Sequence, residues 1–256
     1  MRGARMRTWI RFMLVVVACL GASTAATAAP VPLTQMDGAS AKERTRSTRT
    51  AMTWTATVLR TTVARSRPSV RSRVISRLSE RGANSPAHTV MATGAYRDED
   101  GREWVRVQLI SRPNESQGWV AADDVMVNRA PLRVEVHLKS RRFVILRGDT
   151  PMRTFRAGIG RVATPTPTGT FAVWDVWRTP PHLRGVYGSH VIALTAHSRV
   201  LRSFMGGDAR IGIHGGGSIG RVGRRSSNGC VILAPDALAY VARYVRAGTQ
   251  ITVTND

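Results

Sequence analysis

The chain holds 256 residues, with 38 Lys and Arg against 16 Asp and Glu, a formal net charge of +22. Hydrophobic residues make up 43% of it and charged residues 21%. That is enough apolar material for a core, which excludes wholesale disorder. Beyond the first thirty residues no apolar run reaches the roughly 18 residues that a membrane span needs, and the length allows one or two domains.

Arg2, Arg5, Arg7 and Arg11 form a basic start, followed by the apolar run from Phe12 to Leu20 and then by small residues ending in Ala26-Thr27-Ala28. This is the pattern of a secretory signal peptide over residues 1–28. Val16-Val17-Ala18-Cys19 fits a lipoprotein cleavage site more loosely, which would leave a lipidated Cys19. Cleavage at Ala28 leaves 34 cations against 16 acids, a charge of +18, and Cys230 as the remaining thiol. Lys42 and Lys139 are the only lysines. An arginine surface can grip phosphates or carboxylates in a bidentate way, although a biased genome composition would give the same preference. Residues 29–52, rich in Thr, Ser, Ala and Arg, read as a flexible basic linker.

From residue 53 to 128 short apolar runs alternate with turns: Thr57-Val58-Leu59, Arg73-Val74-Ile75, His88 to Met91, Trp104 to Val107 and Gly118-Trp119-Val120. Asp98-Glu99-Asp100-Gly101 reads as a hairpin turn before the Trp104 strand. These residues resemble a bacterial SH3-like domain. The resemblance implies a small β barrel of the sort that commonly holds an exported enzyme to the cell wall, or a packing module without a ligand.

Residues 131–256 are again strand-rich. Leu132 to Leu138 alternates apolar and polar, as a half-buried strand should. Phe143 to Leu146, Thr170 to Trp174, His190 to Leu194, Ile211 to Ile213, Cys230 to Leu233 and Ile251 to Val253 continue the series. One helix is expected near the end. Pro235 and Asp236 suit its first turn, Leu238, Val241, Ala242 and Val245 form an apolar stripe, and Gly248 can stop it. The fold class is therefore mainly β, with a helix on the sheet.

The chemistry concentrates in Ile213-His214-Gly215-Gly216-Gly217 and in Ser226-Ser227-Asn228-Gly229-Cys230, whose cysteine lies sixteen residues after His214. A thiol attacks as thiolate, and an imidazole within reach can take its proton. Backbone N–H groups around Gly229 and Cys230 could face a developing oxyanion. Together with Thr164-Pro165-Thr166-Pro167-Thr168-Gly169-Thr170-Phe171, the arrangement resembles the L,D-transpeptidase catalytic domain of the YkuD family. The resemblance covers essentially all of residues 133–253.

It implies Cys230 as nucleophile and His214 as general base. Gly229, Asn228 and Ser227 would orient the site, and Gly215, Arg221 and Arg225 would meet the substrate. The implied substrate is a peptidoglycan stem peptide, attacked with release of D-alanine, and no metal or organic cofactor is required. Two positions depart from the family pattern. Its motif histidine is Asn228 here, which can orient but cannot carry a proton, and the Arg often found two residues after the cysteine is Ile232. Arg221, Arg224 or Arg225 could substitute.

Other readings carry less. His182, His190 and His197 lack the close ligand spacing of a zinc site. The basic charge could suggest nucleic acid, but export and the lack of a recognition motif point instead to anionic wall polymers. Trp174, Trp177 and Tyr187 bracket Pro180-Pro181; they suit either a core or a lid over the acyl site. Among Cys–His enzymes, the wall endopeptidases place the cysteine first, at a helix start, which is the reverse of the order here. An L,D-carboxypeptidase, or a wall-binding protein with a decayed site, remains the alternative.

Overall fold

A computed structural model describes residues 53–217 and 219–256. The expected signal peptide, Cys19 and the expected basic linker lie outside the described residues. Seven strands make the first sheet: β1 (Thr53–Val58), β2 (Thr62–Arg65), β3 (Val74–Leu78), β4 (Thr89–Arg97), β5 (Glu103–Gln108), β6 (Gln117–Ala121) and β7 (Val125–Ala130). Their order in space is β3-β2-β6-β5-β4-β1-β7. The β4–β5 hairpin forms at the acidic tetrapeptide. Asp98 and Arg102 pair through the backbone at 2.9 Å, and the Asp98 carboxylate accepts the Trp104 indole N–H at 2.8 Å. Ala56, Ala64, Val105, Val107 and Val120 form the buried centre of this sheet.

The second sheet holds β8 (Leu132–His137), β9 (Arg142–Arg147), β10 (Thr150–Arg156), β12 (Gly169–Arg178), β13 (His190–His197), β14 (Arg210–His214), β16 (Val231–Ile232) and β17 (Gln250–Thr254). Its order is β10-β9-β8-β17-β12-β13-β14-β16, and β11 (Ile159–Gly160) pairs separately and in parallel with β15 (Arg225–Ser227). The expected mainly β class holds. The two α-helices among the described residues are α1 (Arg184–Tyr187) and α2 (Pro235–Tyr244).

Three features of the second sheet position the site. The first is that β12 serves two neighbours: Gly169 to Ala172 pair with β17, and Val173 onward pairs with β13. The second is a bulge between Val173 and Asp175 that leaves Trp174 as the extra residue. A bulge of this kind re-aims one side chain off the regular pleat. The third is the parallel pairing of β14 with β16, Ile213 opposite Val231 and His214 opposite Ile232. Adjacent strands lie about 4.8 Å apart, so this register brings Gly212 of β14 beside the residue that precedes β16. That residue is Cys230.

α2 begins at Pro235 as expected and buries Ala237, Leu238 and Val241. It ends at Tyr244, four residues before Gly248. Val245 is already extended at φ −82°, ψ 136°, although it is fully buried. The apolar stripe therefore outlasts the helix, because Val245 reaches the core from the exit turn. β2, β7, β10, β11 and β15 were not expected as strands.

Candidate active site

A cavity of about 540 Å³ opens where β12, β13 and β14 meet the Cys230 turn. Cys230, His214, Arg221 and Asn228 line it, together with Trp174, Trp177 and Tyr187. The aromatic residues flanking Pro180-Pro181 thus form a cavity wall rather than a closed core. A second wall comes from the segment after β13, through Phe204, Met205 and Asp208.

Cys230 is half-buried, and its Sγ accepts a hydrogen bond from the Gly212 N–H at 3.4 Å. Burial pushes the thiol pKa up; the Gly212 contact and the positive charge of Arg221 act in the opposite direction but are smaller. His214 is buried, and Nδ1 lies 2.7 Å from the Gly215 carbonyl oxygen. A carbonyl can only accept, so the Nδ1–H donates there and the Nε2 lone pair is left as the basic site. The edge of the Tyr187 ring packs on the imidazole, with centroids 5.1 Å apart. Burial also pushes the His214 pKa down, offset by the Gly215 carbonyl and reinforced by Arg221. Both shifts favour uncharged forms. Burial therefore favours a neutral thiol and a neutral imidazole at rest over a preformed thiolate.

The turn carrying the cysteine is held from below. Ser227, which is buried, donates from Oγ to the Cys230 carbonyl at 2.6 Å and accepts the Gly229 N–H at 3.1 Å. That N–H is therefore engaged within the turn, contrary to its expected place facing an oxyanion. Gly229 has φ 122°, and a Cβ there would stand 2.8 Å from Ile211 Cδ1. The Thr-Pro-Thr element acts on the same turn. Thr166 Oγ1 donates to the Gly229 carbonyl at 2.8 Å while accepting the Gly160 N–H at 2.9 Å, and Thr164 Oγ1 donates to the Ser227 carbonyl at 3.3 Å. These threonines shape the nucleophile's turn without lining the cavity.

The remaining candidate residues divide. Asn228 borders the cavity, and its Oδ1 accepts a hydrogen bond from the Arg161 guanidinium. Arg221 lines the cavity, but Arg224 and Arg225 are exposed and outside its lining. Gly215 is buried behind His214, with its N–H donating to the Tyr187 carbonyl at 2.8 Å. Ile232 is buried on β16, where it bridges to Gly158 rather than bordering the cavity. Sequence reasoning missed Gly212, whose N–H meets the sulfur, and Arg161, which meets Asn228. Neither belongs to a motif with a recognisable spacing. His182 is exposed, His190 sits beside Ser189, and His197 contacts Asp208. Among the described residues no three His, Cys, Asp or Glu side chains converge to hold a metal.

A thiol and a basic imidazole nitrogen facing one cavity are the parts of a nucleophilic acyl-transfer site. A family model of the L,D-transpeptidase catalytic domain, YkuD, matches residues 131–253. Those residues belong to the YkuD family. Two relatives, provisionally named L,D-transpeptidase YkuD, come from Bacillus. The Bacillus licheniformis protein is 23% identical over 162 residues, covering 60% of this chain and 89% of the relative. The Bacillus subtilis protein is 24% identical over 151 residues, covering 57% and 83%. Among solved structures, an Enterococcus faecium L,D-transpeptidase superposes with a TM-score of 0.38 at 19% identity, over 49% of this chain and 50% of that one. The structure of a Bdellovibrio bacteriovorus protein gives 0.41 at 18% identity, over 49% of this chain and 48% of that one, so only about half of each structure's length is spanned. The YkuD domain contains every residue that lines the cavity.

Proposed function

We propose that this chain is an exported peptidoglycan L,D-transpeptidase whose YkuD domain forms a Cys230 acyl-enzyme on tetrapeptide stems. The observation that carries this reading is the joint placement of Cys230 and His214 on one aromatic-walled cavity. Cys230 Sγ attacks the carbonyl carbon of the L-centre of the stem's diamino acid. His214 Nε2 takes the thiol proton as the C–S bond forms and returns it to the departing nitrogen as the bond to D-alanine breaks. An incoming amine then attacks the thioester, gives its proton to His214 and releases the thiol. The neutral resting pair suits this order, because the proton need leave sulfur only when an electrophile is in place.

With the Gly229 N–H spent on Ser227, the Cys230 N–H is the oxyanion donor in this reading. Arg221 is the cation that meets the stem's terminal carboxylate, and Asn228, held by Arg161, orients the donor without exchanging protons. Residues 1–28 are read as the export signal, with a lipidated Cys19 as the variant, and residues 29–52 as a linker. Residues 53–128 are read as the SH3-like module and residues 131–256 as the catalytic one. Neutral Asn228 in place of a histidine favours a second reading, a wall-binding protein with a silent site. Water as acceptor would make the enzyme an L,D-carboxypeptidase.

The test is the intact mass of the mature chain after incubation with D-alanine-terminated tetrapeptide muropeptides. The expected gain is the stem minus D-alanine, absent in Cys230→Ala. A folded sample that gains no mass and releases no D-alanine sinks the transpeptidase reading in favour of the silent site. Adding an amine acceptor then separates transfer from hydrolysis by the mass of the product.

A further inference from the structure

The loop between β13 and β14 forms one wall of the cavity, yet little of its own side-chain burial secures it. Val200 is 54% exposed, Phe204 43% and Met205 78%. Its neck is closed by the Ser198 N–H donating to the Ala209 carbonyl at 2.9 Å, and Met205 and Ala209 both sit at positive φ, 48° and 56°. A non-glycine residue there is strained and persists only where its surroundings hold it.

The hold comes from the first sheet. Arg112, on the connection from β5 to β6, donates from Nη1 to the Ser198 carbonyl at 2.8 Å. Its Nη2 donates to the carbonyls of Leu201 and Asp208, each at 3.0 Å. One guanidinium thus ties the entry of the loop to its exit. Two residues on, Asn114 makes a reciprocal pair with the His197 backbone: Nδ2 to the carbonyl at 2.9 Å, and the His197 N–H to Oδ1 at 2.8 Å. The consequences reach the cavity. The Asp208 carboxylate accepts from Arg210 at 2.6 Å, and Arg210 stacks on Trp174 with its guanidinium carbon 4.4 Å from the ring centroid.

The opposite end of Trp174 is tied to the same sheet. Asp175, the buried neighbour of the bulge residue, accepts from the Asn84 N–H at 2.6 Å and from Ser85 Oγ at 2.6 Å. A buried carboxylate needs such donors, and here they come from the connection between β3 and β4.

We infer that Arg112 and Asn114 are positioning residues for the substrate cavity, so that the first sheet helps to build the stem-peptide wall rather than serving only as a wall anchor. This rests on the cavity being the stem-peptide site proposed above. The planar fork of Arg fits three carbonyls at once; a Lys ammonium is a compact point charge without that geometry.

The test uses the full mature chain and two readouts. Amide hydrogen exchange of residues 199–208 should accelerate at least about tenfold in Arg112→Ala and in Asn114→Ala, with protection along β12 and β17 unchanged. With tetrapeptide stem and an amine acceptor, KM should rise about tenfold while kcat changes less than about threefold, because the wall binds substrate but does not react. Arg112→Lys should recover part of both. If Arg112→Ala unfolds, Asn114→Ala carries the same expectations. Unchanged exchange at 199–208, or faster exchange throughout the second sheet's core with kcat falling alongside it, overturns the inference. An inactive wild type would instead remove the transpeptidase reading, while the exchange measurement still decides whether the first sheet holds the loop.

Discussion

Cys230 and His214 line one cavity, and burial acts on the protonation of both. Burial raises the thiol pKa and lowers that of the imidazole, so both are uncharged near neutral pH. The thiolate fraction then grows only as pH climbs past the ordinary thiol value of 9.0. Alkylation of Cys230 by iodoacetamide should therefore be slow at neutral pH and keep increasing above about pH 9. A rate plateau already reached at neutral pH would mean a preformed ion pair. His214→Ala should leave that alkaline alkylation nearly unchanged yet lower kcat by about 10²–10⁴-fold, the usual loss with a general base. Residue types alone do not tell a resting thiol from a thiolate, because a residue's burial is not written in its neighbours along the chain.

At the scale of single elements, the glycine run after His214 packs between helix α1 and Leu238 of helix α2. Gly217 donates its N–H to the Gly185 carbonyl at 2.8 Å, while Gly216 sits at φ 78° so close to Val186 that a Cβ would stand 2.3 Å from its carbonyl. Leu238 Cδ2 would lie 3.2 Å from a Cβ on Gly215. Gly216→Ala combines left-handed strain, about 1–3 kcal/mol, with a backbone clash, and should displace the Tyr187 wall. In urea unfolding it should lose at least that much stability, and stem binding should weaken as well. Leu238→Ala empties a fully buried site under the same segment and should cost about 2–5 kcal/mol by the same measurement. A Gly216→Ala protein with wild-type stability and binding would remove the packing argument. The hairpin at Asp98 to Gly101 and the start of α2 were legible because turn and cap residues act locally. β10 was not legible. Its two core-facing side chains, Met152 and Phe155, stand three apart across the bulge between Pro151 and Arg153, so no period-two alternation announces it.

For the whole molecule, the dominant long-range property is positive charge. Residues 60–81 carry seven arginines and one acid, Glu80, and Arg67, Arg71, Arg73, Arg77 and Arg81 are exposed around the β2–β3 hairpin. Arg60 is already paired with Asp124 at 2.6 Å. As the partner of this surface we propose an anionic wall polymer carrying phosphates, bound with a steep salt dependence. Binding to poly(glycerol phosphate), measured at about 50 and about 200 mM salt, should weaken strongly with salt. It should weaken further in the triple variant Arg71→Glu, Arg73→Glu, Arg77→Glu, with turnover of a soluble stem peptide unchanged. Equal retention of wild type and triple variant would dismiss this surface.

By itself the sequence determined the mainly β class and singled out Cys230, His214, the threonine element and the aromatic segment at the cavity. These are set by residue type and short spacing, which act within a strand, a turn or a motif. Only the tertiary structure decided which of Arg221, Arg224 and Arg225 lines the cavity, that the Gly229 N–H is spent inside its turn, and that burial opposes charge on Cys230 and His214. The same holds for the tie between Arg112 and the Asp208 carbonyl, residues 96 positions apart. Contacts of that span depend on how two sheets pack, and burial is a property of that packing. Neither leaves a periodic mark along the chain.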